Sequence, residues 1–411
     1  MPLTLLLDLG NTLLQTNMDV FSPVYFEKLT GFLAGQAGAQ KLVQEMLTGL
    51  DLIGANERPD VTLGGLFYQH LRDAFHGTGF ERELEHFHRD VFPSMAETST
   101  ARPGAVEIVE YAFEKGWRVV IAADPLQPRK LVEQQLRWAG LPAEKYPFAW
   151  VASMETSHFA KAHPSYYAEI LGNLGWPGGP ALAVGDDPRL DVDSASRAGL
   201  PVFWVHPADF SVLREDGLTP GLARAPQGSL RDLLGWFKAV ELDRLRPDFA
   251  SPQALTASLQ STPAVLDGLL RGLQPAGWTT RSDRHEWALV EIICHLRDMD
   301  VEVNLTRLET LMAADNPFIV GQDTDPWAAE RRYIEQDGPA AFRDFVAARM
   351  RLLEILKSLP AESWQRRARH TIFGPTDVHE LVGFMAEHDR THIRQARALL
   401  LGDRALSSHK P

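Results

Sequence analysis

Short apolar runs recur through the first 240 residues, at 3–7, 117–122, 148–151, 181–184 and 201–205. Runs this short that do not alternate with polar residues read as strands covered on both faces, and stretches with helical periodicity separate them. One such stretch, 105–115, follows Pro103-Gly104, carries Ile108, Val109, Tyr111 and Ala112 on one face, and stops at Gly116. Strands alternating with helices predict a parallel sheet with helices wound on it, whose ligands gather at the carboxyl ends of the strands. Residues of about 15–100 interrupt this rhythm with helical patterns alone, at 24–33, 40–50 and 63–74. Their Phe21, Tyr25, Phe26 and Tyr68 read as the core of that helical insert and not as ligand contacts.

After Val205 the pattern gives way to a Pro/Gly-rich loop, and Ser229 then caps a short amphipathic helix through Leu230, Leu233, Leu234 and Phe237. A boundary near 245 divides the chain into 1–244 and 245–411. From 252 onward no strand pattern is visible. Amphipathic segments at 262–273, 285–313, 338–358 and 377–401, with a short one near 325–335, predict a helical bundle whose facing side chains can build an internal site. The fold class expected is therefore α/β followed by all-α.

Composition narrows the picture. At 411 residues the chain exceeds one ordinary hydrophobic core, and 45% hydrophobic with 23% charged residues is ordinary for a globular protein. A net charge of −13 argues against nucleic acid as the main partner, so the cluster Arg366-Arg367-Ala368-Arg369-His370 reads as a solvated loop. No apolar stretch predicts a membrane span, and the N-terminal apolar run reads as a core strand and not a signal peptide. The single Cys294 admits no intramolecular disulfide and suits a reducing cytoplasm.

Candidate chemistry begins where the first apolar run ends. Asp8-Leu9-Gly10-Asn11-Thr12 places a carboxylate at a strand tip, entering a glycine-containing turn. Polar clusters follow three later runs: Ala122-Ala123-Asp124-Pro125, then Lys161 within His158-Phe159-Ala160-Lys161-Ala162-His163-Pro164, then Gly185-Asp186-Asp187-Pro188-Arg189-Leu190-Asp191. Hard carboxylate oxygens suit Mg²⁺, which offsets phosphate charge in phosphoryl transfer. In this order the four segments resemble the haloacid dehalogenase (HAD) superfamily over roughly residues 1–240. The resemblance implies a Rossmannoid parallel sheet with residues 15–100 as a small helical cap. It also implies Asp8 as nucleophile, Lys161 as charge stabiliser, and Mg²⁺ on Asp8, the Gly10 carbonyl, Asp186 and Asp191. Thr12 and Asp187 would support from outside this set, although Asp187 suits a helix N-cap equally well. Two departures stand out. Gly10 replaces the family's second Asp, the general acid, and Ala123 replaces the Thr or Ser that holds the phosphoryl group.

In the second half, His388-Asp389-Arg390-Thr391-His392 sets two imidazoles one turn apart on one helix face, and His295 stands on another helix after Trp287 and Glu291. Three neutral imidazoles favour a divalent transition metal such as Zn²⁺, Ni²⁺, Fe²⁺ or Cu²⁺ over Mg²⁺. Glu291 is placed to orient His295 from behind, and Cys294 lies about 100° around the helix, on the core side. The segments 287–298 and 387–395 resemble the DinB-like four-helix bundles, a likeness covering roughly residues 252–402. Characterised members of that family are often metal-dependent enzymes acting with low-molecular-weight thiols.

Three readings follow. The first is a weak or specialised Mg²⁺-dependent phosphatase, acting on a small-molecule phosphate and fused to a three-histidine metal bundle. The second confines catalysis to the bundle, as a metal-dependent thiol transferase or isomerase. The third is a non-enzymatic ligand sensor.

Overall fold

The computed structural model describes residues 1–35, 38–76, 79–206, 225–283 and 286–402; most of the Pro/Gly-rich loop expected after Val205 lies outside them. The chain forms two compact units, Met1–Ile170 with Pro177–Phe249, and Leu171–Trp176 with Ala250–Pro411.

The first unit is built on a six-stranded parallel sheet in the spatial order Trp150–Val151, Arg118–Ile121, Thr4–Leu7, Ala181–Gly185, Val202–Val205 and Gln227–Gly228. Thr4–Leu7 is buried along its whole length, which explains why apolar residues dominate it. Leu7 stands level with Ile121 on one side and with Val184 on the other. The residues that follow these three strands are therefore brought to one sheet edge. Helices Met18–Phe32, Ala39–Gly54, Leu63–Ala74 and Phe80–Asp90 form the insert, packed through Leu42, Phe67, Leu84 and Phe87. The last of these escapes the sequence reading, as does the short antiparallel pair Leu14–Thr16 and Ser99–Ala101.

The second unit contains long helices Pro252–Leu270, Gly338–Ser358 and Val378–Leu401. The fourth is Leu289–Asp298, continued through a π-helical turn, Met299–Asn304, into Leu305–Ala313. Leu289–Asp298 packs on Gly338–Ser358, and Pro252–Leu270 packs on both Val378–Leu401 and Gly338–Ser358. Two expectations need correction. The unit is not free of strands: Phe318–Ile319, Arg367–His370 and Gly374–Asp377 form a small sheet. The basic cluster is thus a strand rather than a loop, with Ala368 and His370 turned inward and Arg367 and Arg369 outward. No described helix is long and apolar enough to cross a membrane.

Candidate functional sites

At the shared edge of the parallel sheet, Asp8, Asp186 and Asp191 bring one carboxylate oxygen each within 4.8 Å of one another. Lys161 enters between them, its Nζ 2.5 Å from Asp8 Oδ1 and 2.6 Å from Asp191 Oδ1, with all three side chains buried. Burial opposes the charge on Lys161, but Asp191 and Asp8 outweigh it and raise the ammonium well above its usual range. One lysine does not offset three acids. Burial, then the nearness of Asp8 and Asp191, pushes Asp186 up to about 7. Burial likewise lifts Asp191 to about 6 against the pull of Lys161. Asp8 Oδ2 is buried and meets no hydrogen-bond donor among the described residues. A crowded set of oxygen donors with excess negative charge and one orphaned buried oxygen fits a hard divalent cation.

Local structure supports each of these acids. Asp186 is held through its carbonyl by Trp204 Nε1 at 2.8 Å, and Thr12 Oγ1 reaches its carboxylate at 3.4 Å. Asp191 lies in a π-helical turn, Pro188–Asp193, and accepts from the Asp187 N–H at 3.0 Å and the Tyr167 hydroxyl at 3.3 Å. Asp187 caps that turn, its Oδ1 accepting from the N–H groups of Arg189 and Leu190 at 2.8 and 2.9 Å. Gly185 is sterically required here, because a Cβ at that position would lie 2.1 Å from Asp191 Cγ. At Gly10 the situation is the opposite, and a Cβ would meet nothing within 4 Å. Asp8, Lys161, Asp186 and Asp191 line a cavity of about 270 Å³ together with Gly10 and Ala123. Two residues missed in the sequence support this cavity. Tyr166 donates to the Ala123 carbonyl at 2.7 Å, and Glu169 holds His158, three residues before Lys161, at 2.6 Å.

In the second unit, His295, His388 and His392 converge through their Nε2 atoms. His295 Nε2 lies 3.0 Å and His392 Nε2 3.1 Å from His388 Nε2. Nitrogens bound to one ion at usual zinc distances and near-tetrahedral or right angles lie about 2.9–3.4 Å apart, so the spacing suits three ligands on one metal. Burial, and then the neighbouring imidazoles, hold His295 down at about 3 and His392 at about 4, so both rings are kept neutral and able to ligate. Gln395 Oε1 fixes His392 through Nδ1 at 2.7 Å, while His295 Nδ1 has no partner among the described residues. Trp287 stacks parallel to His392 at 5.9 Å and meets His295 edge-on. Cys294 is buried outside this group, its Sγ 3.4 Å from Gln336 Oε1.

Glu291 does not take the orienting position expected for it. It stands in the first turn of its helix, where its carboxylate accepts from the Ala288 N–H at 2.8 Å and from Arg281 at 2.6 Å. A Glu three residues past an N-cap folds back on the unsatisfied N–H groups of that turn. Below the imidazoles lies a group the sequence reading missed. The wholly buried Arg349 is bound to Asp300 at 2.7 Å, to Asp389 and to the Leu259 carbonyl. Asp300 belongs to the π-helical turn of its helix, so both π turns carry a buried aspartate beside a candidate site.

The sequence model of the haloacid dehalogenase-like hydrolases matches residues 3–199, and that of the DinB superfamily matches residues 258–396. The uncharacterised protein YuaE of Bacillus subtilis is 22% identical over 141 residues, covering 32% of this chain and 87% of that protein. A 2-haloacid dehalogenase from Pseudomonas syringae superposes over 58% of this chain and 99% of its own, at 18% identity and a TM-score of 0.40. The HAD phosphatase of Thermococcus onnurineus does so over 58% and 98%, at 17% identity and a TM-score of 0.37. YfiT from Bacillus subtilis, a four-helix bundle, covers 38% of this chain and 87% of its own, at 16% identity and a TM-score of 0.34. One polypeptide thus joins a haloacid dehalogenase-like hydrolase module to a DinB-superfamily module.

Proposed function

We propose that the first module is a Mg²⁺-dependent phosphatase specialised for phosphates whose leaving group departs without protonation, such as acyl phosphates. The observation that carries this reading is the grouping of Asp8, Asp186, Asp191 and Lys161 at one cavity with no acid at position 10. Asp8, the Gly10 carbonyl and Asp186 would hold Mg²⁺, with Asp191 in support, and the ion would offset phosphate charge. The Asp8 carboxylate attacks phosphorus as the bond from phosphorus to the acyl oxygen breaks, releasing a carboxylate. Water then attacks the aspartyl phosphate, returning the Asp8 carboxylate, inorganic phosphate and a proton. Lys161 offsets part of the charge of Asp8 and Asp191 and faces the incoming dianion. A positioned general acid typically contributes about 10²–10⁴ in rate for leaving groups that need a proton, and its absence costs little for those that do not.

Mg²⁺-dependent phosphate release from acetyl phosphate, abolished by Asp8→Asn, is the expected result. Unchanged release in purified Asp8→Asn would refute the assignment.

The converging imidazoles support a second site in the same chain, for a divalent transition metal on His295, His388 and His392. Such an ion would polarise a bound water or a low-molecular-weight thiol. Elemental analysis of untagged protein should find about one such metal per chain, and a metal-free result after reconstitution would make the three histidines structural.

A further inference from the structure

A second cavity, of about 190 Å³, lies beside the Asp8 cavity in the first unit, and Met18, Phe21 and Gln127 belong to the walls of both. Its remaining wall is mainly apolar, with Tyr25, Phe26, Leu50, Phe67 and Leu131 prominent. Tyr25 and His88 also face it, but they are bonded to each other, Tyr25 Oη 3.0 Å from His88 Nε2. Burial, reinforced by Lys130, drives His88 down to about 3 and keeps the imidazole uncharged. The cavity therefore presents no charged group, whereas the adjoining one is lined by acids and Lys161. A phosphoryl dianion belongs with Lys161 and a cation, and an apolar body gains free energy in proportion to the area it buries.

We infer that the apolar cavity receives the non-phosphoryl part of the substrate, so the substrate is a phosphorylated compound with an alkyl or aryl body that reaches past Phe21 from Asp8. Phe21, Tyr25 and Phe26 are then substrate contacts and not simply the core of the helical insert. This assignment rests on the phosphatase reading above for the position of the phosphoryl group.

The test is a series of acyl phosphates lengthening from acetyl to hexanoyl, assayed with Mg²⁺ on the full chain. Each added methylene that enters the cavity should raise kcat/KM about fourfold. Ser22 lines only the apolar cavity, so Ser22→Phe should bring the hexanoyl-to-acetyl ratio down towards one. A flat series with measurable acetyl phosphate turnover would overturn the inference and leave the phosphatase reading standing. If no acyl phosphate turns over, the phosphatase reading fails, and the cavity is then judged by calorimetry with methyl- to hexylphosphonate. A Kd falling about fourfold per methylene would uphold apolar occupancy, and a length-independent Kd or no binding would overturn it.

Discussion

Arg349, wholly buried, donates to Asp389, the chain neighbour of the candidate ligand His388. The same guanidinium binds Asp300, which Asn304 also contacts at 2.9 Å. One cation thus ties the helix Val378–Leu401 to the π turn Met299–Asn304. Removing one partner of a buried ionic group leaves uncompensated charge and typically costs about 3–5 kcal/mol. Arg349→Met should therefore destabilise the second module by an amount of that order, read as a fall in its urea midpoint. It should also reduce bound metal, because the backbone carrying His388 loses its anchor. An unchanged midpoint with full metal content would show that the ion pairs of Arg349 with Asp300 and Asp389 are dispensable.

The space at Gly10 gives a gain-of-function prediction. Nothing stands within 4 Å of a Cβ built there, so Gly10→Asp can be accommodated and would supply the carboxyl the site lacks. Turnover of simple alkyl phosphates, whose leaving groups require a proton, should rise by about 10²–10⁴, while acetyl phosphate turnover changes little. Comparing kcat/KM for the two substrate types in both proteins checks this. Equal change for both would mean that the missing acid is not what limits the enzyme.

For the bundle, His295→Ala and His392→Ala should each lose most of the metal found in the parent protein, since either leaves two protein ligands. Inductively coupled plasma analysis after gel filtration provides the measurement. Full retention in either variant would exclude that residue from the coordination sphere.

How much of this was readable beforehand depended on how each feature is encoded. The parallel strands were legible because Thr4–Leu7 and Ala181–Gly185 are buried throughout and so are written as short, mainly apolar runs. The site at their ends followed, since Asp8, Lys161 and Asp186 each come after a strand. Arg367–His370 is hard to tell from a polar loop because its strand carries arginines on the outer face; only Ala368 and His370 mark its buried side. Arg349 was invisible for a related reason. A charged residue on a helix reads as solvent-facing, and its partners Asp300 and Asp389 lie 49 and 40 positions away. A spacing of one turn pairs Glu291 with His295 in the sequence, but the unsatisfied N–H groups of the first helical turn are the nearer claim.

The acid limb of stability should carry the mark of His88. Burial and Lys130 lower its pKa to about 3 in the folded protein, against 6.5 for an ordinary histidine. Between these values the unfolded chain holds a proton that the folded chain does not. Stability therefore rises with pH across this window, the contribution being fully present above about 6.5 and progressively lost as pH falls towards 3. The limiting slope is about 1.4 kcal/mol per pH unit for a single group. Urea unfolding of the parent and of His88→Gln at pH 7, 6 and 5 separates this contribution from the rest. The parent should lose its advantage over the variant steadily as the pH drops, whereas parallel pH profiles would mean that His88 takes up its proton without unfolding the helices around it.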